Sequence, residues 1–386
     1  MSQMKATPYR GPVILSLGFR PFFLLAVLSG AVILPLWIAV FRGHVHLDGP
    51  FDPVSWHVHE MLFGYAAAAL TGFLFTAIPN WTGRLPVRGL PLGLLALLWL
   101  LGRFAVAGAF GLPALAVLVV DSAFLAVVLV SIVTEIIAGR NWRNLKVAVP
   151  VGLLLAANLV FHMESLQGGA PDVGIRLGLA LYLFLITLIG GRIIPSFTRN
   201  WLAKRGPGPL PATFNGFDKL CLASTALALL LWTGFPGVSG TAAVLALSGL
   251  LNLVRLIRWR GERTMASPLL IMLHLAYLFI PFGFMTLASG QETAALHLLG
   301  IGAVAGMTVA VMIRATLGHS GLPLECGRLL TLAFSLILGS ALLRSLAAGE
   351  SLFGFSGLML AAWLWSVGFL LLTLRLGPIL IGRGKA

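Results

Sequence analysis

Apolar runs of about 20 residues recur from one end of this chain to the other, the length a helix needs to cross a roughly 30 Å hydrocarbon core. Within that core only helices or closed barrels satisfy the backbone. Strand-like alternation is absent, so the expected fold is an all-α integral membrane protein. With 59% hydrophobic and only 10% charged residues, the 386-residue chain has no composition left for a sizeable soluble domain. Twelve spans are predicted, near 20–41, 56–79, 90–109, 113–137, 147–166, 174–197, 217–235, 238–257, 264–289, 292–316, 327–348 and 354–376. The longest polar connection, Thr198–Asn215, is too short to separate domains, and residues 1–386 read as a single polytopic transmembrane domain. Met1–Arg20 is polar and basic and the first apolar run is long, so no cleavable leader is expected.

The formal charge of +14 would suit nucleic acid, but its distribution argues for topology instead. With the N-terminus in the cytoplasm, every Lys and Arg except Arg42, Arg103, Arg176 and Arg344 falls on a cytoplasmic segment or helix end. That is the positive-inside pattern. An even span count then puts the basic C-terminus, with Arg383 and Lys385, inside as well. The expected partner is the lipid bilayer of a cytoplasmic membrane, with no nucleic acid.

Against this apolar background stands Trp56-His57-Val58-His59-Glu60, at the mouth of the second span. Ionisable groups at such depth are costly and therefore mark function, and imidazole is the commonest protein ligand for haem iron and copper. By the inferred topology His57, His59, His162 and His297 lie near the outer ends of spans 2, 5 and 10, with His274 about central in span 9. These five are the candidate metal ligands. Residues two apart point about 200° apart around an ideal helix, so His57 and His59 face different partners unless the helix start is irregular. That leaves two sites, or one ligand and one supporting hydrogen-bond partner. Glu60, three residues after His57, could orient a histidine or carry protons. Asn158, one turn before His162, and Tyr277, three residues after His274, are expected hydrogen-bond partners of those rings. Glu60 and Tyr277 are the candidate catalytic side chains.

Arg103, near the outer end of span 3, reads either as a partner for haem propionates or as an ordinary interfacial arginine. Asp121 and Glu135 in span 4 look isolated and receive no role. His44 and His46 lie in an outer loop and His319 on the cytoplasmic side. Cys221 and Cys326 form no CxxC or CxxCH, which excludes a c-type haem attachment and a zinc ribbon.

A weak internal repeat links spans 2 and 6, which end Ile78-Pro79-Asn80-Trp81-Thr82 and Ile194-Pro195-Ser196-Phe197-Thr198. Span 10, four helices further on, ends less similarly at Ile313-Arg314-Ala315-Thr316. Either chance or three units of four helices accounts for this. The second reading is similar to the pseudo-threefold catalytic subunit of haem-copper oxidases, although their His-His pair and His-Pro-Glu-Val-Tyr segment do not occur here.

Several stretches together resemble the NnrS family of bacterial membrane proteins: Gly18-Phe19-Arg20-Pro21-Phe22-Phe23, His57-Val58-His59-Glu60-Met61-Leu62-Phe63-Gly64-Tyr65, and Thr76 to Arg84. Asn158 with His162, Gly190 to Thr198, His274-Leu275-Ala276-Tyr277, His297 and Val311 to Gly321 continue the likeness, with Ser320 where the family often has threonine. The resemblance implies a twelve-span inner-membrane protein carrying haem b and copper and linked to nitric oxide metabolism and nitrosative stress. On that footing the leading expectation is an oxidoreductase that reduces nitric oxide at an outer-leaflet haem-copper site. Electrons would come from quinol or a periplasmic donor. The rival expectation is non-catalytic, a haem or copper transporter or a nitric oxide-binding sensor.

Overall fold

The computed structural model describes residues 9–347, 349–352 and 354–382; Arg383 and Lys385, expected in the cytoplasm, and residues 1–8 of the basic N-terminal segment lie outside the described residues. Helices form where the apolar runs were expected. They are α1 (Phe19–Phe41), α2 (Pro53–Thr82), α3 (Leu90–Val106), α4 (Ala114–Ala138), α5 (Ala148–Leu166), α6 (Asp172–Leu202), α7 (Gly216–Gly234), α8 (Ser239–Ile257), α9 (Pro268–Ala288), α10 (Glu292–His319), α11 (Gly327–Leu346) and α12 (Gly357–Leu380). Among the described residues eleven are long and apolar enough to cross a membrane, and α3 is a shorter apolar helix. The chain is an all-α multi-span membrane protein.

Local chemistry sets the helix ends. Asp52 caps α2, its carboxylate accepting from the backbone N–H groups of Val54 and Ser55, and Pro53 occupies the first helical position. Asn215 and Asp218 form a reciprocal capping box at the start of α7. Pro268 starts α9 later than the expected residue 264, because Gly261–Thr264 is spent on a 3-10 turn. His274 therefore sits in the first two turns of α9 rather than at its centre.

The described residues fold as two compact units, 9–174 with 373–382, and 175–372. In the first, α1 packs on α2, α4 lies between α3 and α5, and α2 also meets α4. Phe22 of α1, fully buried, joins its ring to Phe75 of α2 and Phe124 of α4 at 6.4 and 5.8 Å. In the second, α8 lies between α7 and α9, and α10 packs on both α9 and α11. Small residues allow the close approaches; a Cβ at Gly302 of α10 would stand 2.1 Å from the ring of Phe279.

The three longest helices, α2, α6 and α10, have 30, 31 and 28 residues. Each carries a π-helical stretch, over Glu60–Ala66, Ile186–Gly190 and Leu298–Ala305. The four-helix spacing of the Ile-Pro echo thus recurs in the backbone. Such segments loosen the i to i−4 ladder and cluster at functional sites. In two of them a side chain from a neighbouring helix reaches the backbone. Trp99 Nε1 donates to the Gly64 carbonyl at 3.1 Å, and Arg255 Nη1 donates to the Thr187 carbonyl at 2.9 Å.

Candidate metal centre

The first unit buries a set of polar groups from four helices. His59 and Glu60 come from α2 at the edge of its π-helical stretch, Arg103 from α3, Asp121 and Ser122 from α4, and Asn158 and His162 from α5. His59, Glu60, Asp121, Asn158 and His162 are all at most 2% exposed. Groups this polar persist in an apolar interior only when paired, and here they pair with one another.

Asp121 is the hub. Its Oδ2 lies 3.1 Å from His59 Nε2 and 3.0 Å from His162 Nε2, and it accepts from Asn158 Nδ2 at 2.7 Å. Its other oxygen, Oδ1, accepts from the Arg103 guanidinium, which also holds Glu60 Oε1. Asn158 turns its carbonyl oxygen to His59 Nε2 at 3.0 Å and its N–H to Ser122 Oγ at 3.3 Å. Phe51, Phe63 and Phe161 wall the rings, with centroids 4.9 to 5.2 Å from that of His59.

His59 Nε2 faces two acceptor oxygens, and its Nδ1 faces Glu60 Oε1 at 3.3 Å. A neutral imidazole donates from one nitrogen only. The position between the rings and Asp121 therefore calls for a shared proton or a cation. One ligand atom each from His59, Asp121 and His162 lie within 4.8 Å of one another. Two imidazole nitrogens and a carboxylate oxygen are a donor set for a small cation.

Asp121 had looked isolated, and the structure corrects this. It is the residue on which both histidines converge. The missed signal was Asp121 itself, since an intramembrane carboxylate implies a partner, and Arg103 stands at the matching end of the adjacent span. Glu135 is not isolated either, as Arg84 Nε donates to it at 2.7 Å. His57 points elsewhere and stacks on Trp37, with centroids 4.4 Å apart.

The profile of the NnrS protein family matches residues 13–383, nearly the whole chain. The chain belongs to the NnrS family. No curated protein is a significant match. Membership supports a membrane protein tied to the nitric oxide response, and the cluster above gives this NnrS chain a set of side chains that could hold a metal ion.

The remaining candidate residues of this NnrS protein lie in the second unit. His274 Nε2 is 3.0 Å from Thr198 Oγ1, at the end of α6, while its Nδ1 has no hydrogen-bond partner among the described residues. A Cβ on Gly261 would come within 2.8 Å of that nitrogen, so the chain itself covers it. Tyr277 does not support His274 as expected. Its hydroxyl donates to Asn252 Oδ1 at 2.6 Å and accepts from Arg255 at 3.3 Å. Arg255, fully buried, also donates to Asp218 Oδ1 at 2.9 Å. Sequence reading missed this second network because Asp218 and Arg255 sit at helix ends, where charge is ordinary. His297 anchors Nδ1 on the Thr293 carbonyl at 2.7 Å, leaving Nε2 as the nitrogen available to a metal.

Proposed function

We propose that the protein is a haem- and copper-dependent membrane oxidoreductase that reduces nitric oxide. The observation that carries this reading is the buried His59–Asp121–His162 cluster with Glu60 and Arg103 beside it, in a chain of the NnrS family. The donor set suits copper. His297, with its ring held by a backbone carbonyl and Nε2 available, is the residue that would hold haem b, and Arg344 lies within electrostatic range of that ring, where it would meet a propionate. Bound iron and copper would supply the electron transfer to nitric oxide, which this chain's own side chains do not provide.

The side chains have separate work. Two nitric oxide molecules, two electrons and two protons give nitrous oxide and water. Glu60, bonded to both His59 and Arg103, is placed to relay protons toward the cluster. Phe51, Phe63 and Phe161 wall the His59 ring and keep bulk water from it. Positive-inside topology puts the cluster toward the outer leaflet and both termini in the cytoplasm. Quinol or a periplasmic protein is the expected electron donor.

One observation favours a second, non-catalytic reading as nitric oxide sensor or metal carrier. Arg103 bonds to both Asp121 and Glu60, which would hold these two carboxylates in place whether or not a metal is bound. Metal and haem analysis of purified protein, coupled to anaerobic nitric oxide consumption under reductant, separates the two. Copper and haem with reductant-dependent loss of nitric oxide is the expected result. Tightly bound haem and copper without that loss would overturn the reductase reading.

A further inference from the structure

We infer that Arg103 sets the valence of the cation that the His59–Asp121–His162 cluster accepts, favouring a monovalent ion over a divalent one. The inference rests on the metal-centre reading above and concerns the charge of its occupant.

The two oxygens of Asp121 have separate duties. Oδ2 faces the two imidazoles and Oδ1 belongs to Arg103, so the guanidinium neutralises the site without occupying the ligand position. Arg103 is built into that place. It also grips Glu60, lies 5.6 Å from the centroid of Trp99, and passes close to the α2 backbone at Gly64. A Cβ on Gly64 would stand 3.1 Å from its Nη1 and 3.0 Å from Glu60 Oε2, so glycine leaves room for this close approach.

Charge then discriminates between occupants. Among the described residues of the cluster Glu60 and Asp121 contribute two negative charges and Arg103 one positive. Ligated imidazoles, Asn158 and Ser122 contribute none. The net charge of −1 is cancelled by a monovalent cation, whereas a divalent one leaves +1. His59, Asp121 and His162 are at most 2% exposed, and the Arg103 side chain is 11% exposed, so solvent does little to screen the excess. An uncompensated charge in such surroundings is strongly disfavoured. Monovalent copper, which accepts imidazole nitrogens, meets the charge requirement, whereas zinc, equally content with imidazole and carboxylate, does not.

The test is equilibrium competition between silver(I), a redox-inert monovalent probe, and zinc(II) on the full chain in detergent, with bound metal measured by mass spectrometry. Wild type is expected to retain silver against zinc. R103Q should shift the ratio toward zinc by at least about tenfold, since it removes a charge only a few ångströms away. R103K, which keeps the charge, should hold the ratio near that of wild type. E60Q, which removes a negative charge, should move the ratio the opposite way from R103Q, and it supplies the answer if R103Q does not fold. A wild-type preference for zinc, or a ratio that R103Q and E60Q leave unmoved, would overturn the inference while leaving a metal centre in place. Metal binding unaffected by combined His59→Ala and His162→Ala substitution would overturn the metal-centre reading and this inference with it.

Discussion

The indole N–H of Trp99 donates to the carbonyl of Gly64, 3.1 Å away on the neighbouring helix. Gly64 lies inside the π-helical stretch of α2, four residues after Glu60, and the bond ties that irregular backbone to α3, the helix that carries Arg103. Trp99→Phe keeps an aromatic ring and removes the donor. A buried acceptor left unsatisfied costs about 1–3 kcal/mol. Thermal unfolding in detergent should therefore show a lowered midpoint for the variant. An unchanged midpoint would mean the π-helical stretch does not depend on this contact.

Asp121→Asn tests the hub. The amide has the shape of the carboxylate but not its charge, and Arg103 is left with Glu60 alone. Breaking a buried ion pair from one side costs about 3–5 kcal/mol. Copper content per chain should fall together with stability. Full copper occupancy in the variant would remove Asp121 from the ligand set.

Asp218→Ala separates the second unit's network from the metal chemistry. It strips Arg255 of its carboxylate partner at 2.9 Å and should destabilise by about 3–5 kcal/mol. Replacing both members, Asp218→Leu with Arg255→Met, should recover much of that loss. Copper content should stay at the wild-type level in both variants, because none of the clustered ligands His59, Asp121 and His162 is touched. Loss of copper in either would tie this network to the centre.

A pH effect is expected at the entrance of α2. Partial burial pushes the Asp52 carboxyl up, but hydrogen bonds from Ser55 and Val54 outweigh it and hold the group below its ordinary value. A carboxyl lowered by folding stabilises above its unfolded pKa and loses that contribution as pH falls through the lower, folded one. Asp52→Ala should cost about 1 kcal/mol at neutral pH, as lost caps do. The difference between variant and wild type should shrink in acid. A difference that stays constant down to strongly acid pH would show that the cap does not act through its charge.

What could be read from the residues follows from which forces act locally. Span length and apolarity are local, so all twelve helices were legible. Their ends were less so, and α6 runs on to Leu202 because its polar Ser196–Asn200 segment stays helical past the expected end at 197. His59, Glu60, Arg103, Asn158 and His162 announced themselves as polar groups in apolar runs, and the structure brings them together. Asp121 escaped because a lone carboxylate has no periodicity, and its meaning lies in groups 18 to 62 residues away along the chain. The divergence of His57 and His59 followed from helical spacing alone. The π-helical stretches left no trace in composition, since they depend on what neighbouring helices offer the backbone.

The stretch over Glu60–Ala66 makes the placement of His59 a matter of phase. A π-helical turn takes up an extra residue, which changes the angular setting of everything before it relative to everything after. Restoring regular winding there with every residue kept would rotate the start of α2 by about 100° against the rest of the helix. His59 would swing away from Asp121 although every ligand was still present in the chain. In this protein a change of winding over one short segment, with no change in ligand identity, would take the centre apart.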